Sequence, residues 1–293
     1  AAVAERAVRE LIAEGVSAIV GPMTSDMGKA VAPILSEAKV LMVSPTVTTE
    51  ALTGIDDYFF RVTATTRYFA SRNASYQIKA GRMHRLAAAY DRSNKSFTEN
   101  WLANFKAAFH EGGGEILGAV GFEVSDDTTF LRIAHELLAL QPDGILIVAN
   151  SMDSALLCQQ IRKLDTNIEI TLADWGATER LLEMGGKAVE GVTVVQTFDR
   201  HSTAPRYLAF RQAYLDRFHR EPGFAGVNTY DAVNVVLEAI ANQKDGGSLK
   251  ESVLTIRQFE GLQSRFSFDD FGDVKRPHAS ISVVRNGQFV VLE

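Results

Sequence analysis

Short continuous apolar runs alternate along this chain with stretches whose apolar residues recur every three to four positions. Val3, Ala7, Val8, Leu11 and Ile12 mark one face of a helix over 1–14, and Gly15 stops it. Positions 16–20 read as a buried strand, broken by Gly21-Pro22. Ser25-Asp26 caps a helix that runs to about Ala38 with Val31, Ile34 and Leu35 inward, and 40–43 is a second apolar run ended by Ser44-Pro45. The same grammar then repeats. Strands are predicted over 58–62, 86–90, 115–122, 144–149, 168–172 and 192–197, with helices over 67–80, 97–110, 130–140, 153–164, 179–184, 205–220, 228–242 and 249–256. The remainder is β-rich, with strands over 264–268, 279–285 and 288–292 and an Asn286-Gly287 hairpin turn. Apolar runs between helices are parallel strands covered on both faces, so the chain is α/β.

One pattern occurs twice. Strand, polar loop, helix, strand and polar loop carry Ser25, Thr46 and Thr48 in the first copy. In the second they carry Asn150, Ser151, Asp174 and Trp175. Ser25 to Thr48 and Ser151 to Asp174 are each 23 positions apart. Ligands of parallel α/β sheets bind at the loops after strand C-termini. Two such lobes with polar strand ends facing each other form a cleft. The competing explanation is that any α/β chain repeats at this period and has polar loops.

Composition narrows the function. At 293 residues the chain is long enough for two domains. Its 46% hydrophobic and 23% charged content is that of a globular chain rather than a disordered or fibrous one. A net charge of −6 offers no electrostatic footprint for nucleic acid. No apolar run approaches the ~20 residues of a membrane helix. Cys158 is the single cysteine, which excludes an internal disulfide and a Cys-rich zinc site; its helical, apolar setting reads as a buried inert thiol. The six histidines never fall at metal-ligand spacing. Gly112-Gly113-Gly114 follows a helix and precedes a strand, the wrong order for a dinucleotide fingerprint, and reads as a helix stop. Ser36-Glu37-Ala38-Lys39 matches a nucleophile motif but falls at a helix end, where Lys39 suits the dipole. Asp126-Asp127 reads as a solvated helix cap. No nucleophile–base pair, metal site or cofactor fingerprint emerges.

The informative residues are small and polar. Ser25 lies where a helix begins, and its hydroxyl and the amides after it suit a carboxylate; the plainer alternative is an N-cap. Thr48 adds a hydroxyl after the next strand. Asp174 follows a strand in the second copy and suits a cation. Donors for −COO⁻ and an acceptor for −NH3⁺ on opposite lobes make a trap for an amino-acid zwitterion.

At 15–22 the chain reads Gly-Val-Ser-Ala-Ile-Val-Gly-Pro, followed by Ser25 and by Val-Ser-Pro-Thr-Val-Thr at 43–48. Further on come Phe-Phe-Arg-Val (59–62), Tyr-Asp-Arg-Ser-Asn-Lys-Ser-Phe (90–97), Val-Glu-Gly-Val (189–192) and Tyr-Asp-Ala-Val (230–233). In this order the set resembles the leucine/isoleucine/valine-binding protein family, the type I periplasmic solute-binding proteins of branched-chain amino-acid ABC transporters. The resemblance implies two Rossmann-like lobes joined by three crossovers, with a ligand in the cleft. It places lobe I at 1–63 and 199–274 and lobe II at 64–198 and 275–293. It also implies roughly fifty further residues ahead of Ala1, with the first strand, first helix and second strand of lobe I, which this sequence lacks.

Carried over by position, Ser25 matches the hydroxyl that holds the ligand carboxylate, Thr46 a backbone contact and Thr48 the threonine after it. Asp174 falls where the family has an acid for the ligand ammonium. Trp175 stands where a small residue is usual and Ser151 where a bulky aromatic is usual, so Trp175 is expected to fill the space Ser151 vacates. Phe97 falls near an aromatic wall. The implied protein is a periplasmic or extracellular monomer that needs no cofactor, catalyses no reaction and delivers an amino acid to the membrane subunits of an ABC transporter. A receptor ectodomain of the same fold, or a binder of aromatic carboxylates, is the alternative.

Overall fold

A computed structural model describes residues 1–125, 129–275 and 277–293. Asp126-Asp127 lies outside the described residues. The chain forms two compact units, Ala1–Thr65 with Phe198–His278 and Thr66–Thr197 with Ala279–Glu293. In chain order the first unit opens with α1 (Ala2–Ala13), β1 (Ala18–Val20), α2 (Ser25–Ala38), β2 (Leu41–Ser44) and β3 (Phe59–Arg61). The second unit follows with α3 (Thr66–Ala80), β4 (Arg85–Asp91), α4 (Lys95–Glu111), β5 (Glu115–Phe122), α5 (Phe130–Leu138), β6 (Gly144–Val148), α6 (Ser151–Leu164), β7 (Glu169–Leu172), α7 (Glu179–Gly185) and β8 (Thr193–Gln196). The first unit resumes with α8 (Pro205–Phe218), α9 (Phe224–Ala241), α10 (Leu249–Thr255), β9 (Phe259–Glu260) and β10 (Arg265–Phe266). Strands β11 (Ser280–Arg285) and β12 (Gln288–Val291) belong to the second unit.

In the first unit β1, β2 and β3 form a parallel sheet in that order. Its central strand shows why a continuous apolar run was required. Leu41 and Val43 pack with α9 and α10 on one face, while Met42 packs with Val31 and Leu35 of α2 on the other. A strand buried on both faces has no polar side to display. α1 buries Val8 but leaves Val3 and Leu11 exposed, so its apolar stripe is wider than its contact.

In the second unit the sheet order is β12-β11-β8-β7-β6-β4-β5, with β4 to β8 parallel and β11 and β12 antiparallel additions. β6 continues to β7 on one side, while β4 is followed by β5 on the other. The strand order therefore reverses between β4 and β6, and crevices at such switch points are where open α/β sheets take ligands. A buried polar network ties α3 to this sheet. Gln77 Nε2 shares its two hydrogens among Asn73 Oδ1 (2.8 Å), Thr171 Oγ1 (3.0 Å) and Thr193 Oγ1 (3.1 Å), and Asn73 Nδ2 donates to the Leu172 carbonyl at 3.0 Å. That last bond fixes the end of β7, the strand that leads to Asp174.

Turn chemistry accounts for several motifs. Asn286 and Gly287 adopt φ of 51° and 69°, as a two-residue hairpin requires, and their N–H groups donate to the Glu190 carboxylate at 3.0 and 2.7 Å. Asp91 accepts from Ser93 N at 2.7 Å and Ser93 Oγ at 2.8 Å. Asp231 accepts from Leu262 N at 2.9 Å, and burial pushes its carboxyl up to about 6. The acidic residues of the three motifs around 90, 190 and 231 thus hold turns together. Ser36 is structural too: its Oγ donates to the Ala32 carbonyl at 2.9 Å, and Lys39 ends the helix in the left-handed region at φ 56°.

Candidate functional site

Each unit carries its candidate residues on loops after parallel strands. In the first unit these are the loops after β1 and β2. The cap of α2 is Thr24, not Ser25. Thr24 has extended backbone, and its Oγ1 accepts from Met27 N at 3.4 Å. Ser25 is the first helical residue, 2% exposed, and its hydroxyl takes no part in the cap. The N-cap explanation of Ser25 therefore falls. Thr46 Oγ1 donates to the Met23 carbonyl at 2.6 Å, which fastens the two loops to each other. Its N–H points at Ser44 Oγ across 3.4 Å, and Ser44 Oγ also accepts from Val47 N at 3.1 Å. Thr48 is buried beside them. Asn228 on α9 donates from Nδ2 to the Pro45 carbonyl at 3.0 Å and holds the second loop from behind.

In the second unit the loops after β4, β6 and β7 carry the remaining residues. Ser151 begins α6, again one residue after the true cap: Asn150 Oδ1 accepts from the N–H groups of Met152 and Asp153, both at 3.0 Å. Asn150 Nδ2 also donates to Asp153 Oδ2 at 2.6 Å. Burial raises the Asp153 carboxyl, a shift the Asn150 bond opposes and the Asp91 charge reinforces.

After β7 the chain makes a 3-10 turn, Asp174–Gly176. Phe97, near the start of α4, meets Trp175 edge to face, with ring centroids 5.5 Å apart and an interplanar angle of 84°. Asp174 is 7% exposed. Its Oδ1 accepts from the indole Nε1 of Trp101 at 2.9 Å. Burial pushes its carboxyl up to about 6, against the pull of the Trp101 bond and of its own backbone N–H. Asp174 has no cationic partner among the described residues. The structure thus brings Phe97, Asp174 and Trp175 into one unit's loop cluster, and Ser25, Thr46 and Thr48 into the other's. No direct bond joins Ser151 to Asp174 or Trp175 among the described residues.

Trp101 is the residue that sequence reasoning missed. The available signal was an aromatic every fourth position along α4: Phe97, Trp101, Phe105 and Phe109. Trp101 stacks on Phe105 (5.5 Å, 15°) and Phe105 on Phe109 (5.2 Å, 26°). The ladder ends against Gly114, where a Cβ would lie 2.4 Å from the Phe109 ring. The Gly112-Gly113-Gly114 run therefore stops the helix, as expected, and also seats Phe109. Cys158 is buried, with its thiol pushed up to about 12, and is inert at neutral pH. No group of three or more His, Cys, Asp or Glu suited to a metal occurs among the described residues.

Comparison with known proteins finds a family model that matches nearly the whole chain, together with relatives of the same fold. The family described as periplasmic binding protein matches residues 1–288. The Leu/Ile/Val-binding protein homolog 3 of Brucella melitensis is 21% identical over 294 aligned positions, covering 98% of this chain and 78% of the relative. The leucine-binding protein LivK of Thermotoga maritima superposes with a TM-score of 0.88 at 27% identity, covering 99% of this chain and 83% of that one. A solute-binding protein of R. palustris solved with benzoate superposes with a TM-score of 0.86 at 16% identity, over 99% of this chain and 80% of that one.

Proposed function

The chain belongs to the periplasmic binding protein family, and on that footing we propose that it captures an amino acid outside the cytoplasmic membrane and delivers it to the membrane subunits of an ABC transporter. In this reading Ser25 donates to the ligand carboxylate, with the backbone near Thr46 and the Thr48 hydroxyl beside it. Asp174 accepts from the ligand ammonium. Phe97 and Trp175 bound the side chain. No bond is made or broken.

One observation carries the amine. Asp174 is a buried carboxyl without a cation among the described residues. An uncompensated buried charge costs several kcal/mol, and a fold retains one where a partner arrives to neutralise it. A zwitterion supplies that partner, and its own ammonium needs an anion once water is stripped away. The cap at Thr24 supports the role of Ser25, since it leaves that hydroxyl to something other than the helix.

The edge-to-face pair Phe97–Trp175 favours a second reading, an aromatic carboxylate. Such a ligand stacks on the rings and meets Asp174 only as a neutral carboxyl.

Calorimetry with the L-amino acids, their des-amino counterparts and benzoates separates the two. An amino acid bound at least tenfold more tightly than its des-amino counterpart at pH 8 supports the first reading. Equal affinities for the pair exclude it, and a preference for benzoates establishes the second.

A further inference from the structure

We propose that Trp101 is a positioning residue for ligand recognition: its indole N–H holds Oδ1 of Asp174 and so reserves Oδ2 as the single oxygen offered to the ligand. The inference rests on the reading of Asp174 as the ligand-amine acceptor.

The turn is fixed at both of its levels. In the backbone, Ala173 N donates to the Ile147 carbonyl and Ala177 N to the Asp174 carbonyl, each at 3.0 Å. Gly176 leaves little room to shift, since a Cβ there would lie 3.1 Å from the Leu172 side chain. In the side chain, the Nε1–Oδ1 bond of 2.9 Å comes from a tryptophan that is itself fully buried and stacked into the Phe105–Phe109 ladder. A carboxylate free to swing presents either oxygen in many directions. One held in this way presents one oxygen in one direction, and preorganisation of that kind lowers the ordering cost of binding.

The chemistry of indole adds a consequence. Indole Nε1–H donates and never accepts. Oδ1 must therefore remain an acceptor in both protonation states, and a proton taken up by Asp174 must sit on Oδ2. The oxygen that faces the ligand is then an acceptor when ionised and a donor when neutral. An ammonium is matched in the first state and a bare carboxylate in the second. Charged side chains do not override this choice. Neither the carboxylates Asp153 on α6, Glu179 on α7 and Glu99 on α4 nor the cations Arg180 on α7 and Lys95 on α4 shift Asp174 by their charge; burial with the two N–H bonds accounts for where it titrates.

The test replaces the N–H and keeps the shape. Trp101→benzothienylalanine preserves ring size and stacking but carries sulfur in place of the N–H; Trp101→Phe is the second variant. Affinities for L-leucine and 4-methylpentanoate, and for L-phenylalanine and 3-phenylpropanoate, are read by calorimetry from pH 5 to 8. The Asp174 carboxyl is titrated by ¹³C NMR in ligand-free protein. We expect both variants to lose about ten- to a hundredfold in amino-acid affinity at pH 8, the range for a hydrogen bond to a charged group. We also expect less than a threefold change for the des-amino acids there, and an Asp174 titration moved to higher pH. A benzothienylalanine variant that matches wild type in amino-acid affinity and in the Asp174 titration overturns the role of Trp101 and leaves the proposed function standing. Wild-type protein that binds neither amino acid above its des-amino partner overturns the proposed function, and this inference with it.

Discussion

Arg61 donates from Nε to Oδ1 of Asp273 at 2.6 Å, across 212 positions of sequence. The guanidinium is fully buried and also donates to the Thr49 carbonyl at 2.8 Å and to Thr53 Oγ1 at 2.5 Å. Asp273 Oδ2 in turn accepts from Gly54 N at 3.1 Å. The pair thus fastens the loop just beyond Thr48 to a distant segment of the same unit. Asp273→Ala leaves a buried cation unpaired and is expected to destabilise the fold by about 3–5 kcal/mol. Urea unfolding checks it, and the double variant Arg61→Met, Asp273→Leu is expected to regain most of the loss.

Asp174→Asn is expected to trade binding for stability. The folded carboxyl titrates near 6 against an ordinary value of 3.8. Between those values the folded protein holds the proton more firmly than the unfolded chain, so this group's effect on stability worsens as pH rises through that window. Asparagine removes the penalty and keeps an acceptor for Trp101. Ligand-free Asp174→Asn is therefore expected to be about 1–3 kcal/mol more stable than wild type at pH 8, with the gap closing below about pH 4. Its affinity for an amino acid falls by about 2–5 kcal/mol. Urea melts at the two pH values check the first half; a less stable variant at pH 8 makes Asp174 a structural residue.

Affinity for amino acids is expected to fall as pH drops below about 6, the value at which Asp174 titrates in ligand-free protein, and affinity for plain carboxylates to rise over the same range. Calorimetry on one amino acid and its des-amino analogue at pH 5 and 8 reads both slopes. Parallel slopes for the two ligands remove Asp174 from the site.

Thr24 and Ser25 are neighbours with separable duties. Thr24→Ala is expected to cost about 0.5–1 kcal/mol of stability, the lower part of the range for a cap whose bond is 3.4 Å long, and to leave affinity unchanged. Ser25→Ala is expected to leave the melting curve in place and to weaken carboxylate ligands by about 1.5–3 kcal/mol. Thermal melts and calorimetry on the two variants should give opposite patterns.

Gly114→Ala drives a methyl group to within 2.4 Å of the Phe109 ring, too close for a heavy-atom contact. The ring must move, at a cost of about 1–3 kcal/mol. Because Phe109 supports Phe105 and Phe105 supports Trp101, the same change is expected to weaken amino-acid binding more than des-amino binding, which calorimetry at pH 8 resolves.

What was legible in the sequence follows from how local each signal is. Leu41-Met42-Val43 read as a doubly covered strand because burial on both faces leaves no polar position, and Asn286-Gly287 read as a hairpin because few other pairs tolerate its backbone. The class of fold, and Asp174 at a strand end, came from such local cues. The cap of α2 was misplaced by one residue because Thr24 and Ser25 both carry hydroxyls, and only the extended backbone at Thr24 decides between them. α9 starts at Phe224 rather than near Asn228, and no side chain caps it, so the sequence carries no cap residue to mark its first turn. Nothing local in the sequence separates Trp101 from one more core aromatic, because its polar partner lies 73 positions away.

The interleaving of the two units has a consequence for the order of synthesis. Arg61 leaves the ribosome early, yet Asp273 emerges only after nearly all of the second unit has been made. The second unit waits in turn, because the outer edge of β8 stays bare until β11 arrives to pair with it. The growing chain therefore carries one bare strand edge until β11 has been made, and an unpaired edge is where a nascent sheet is open to pairing with another chain.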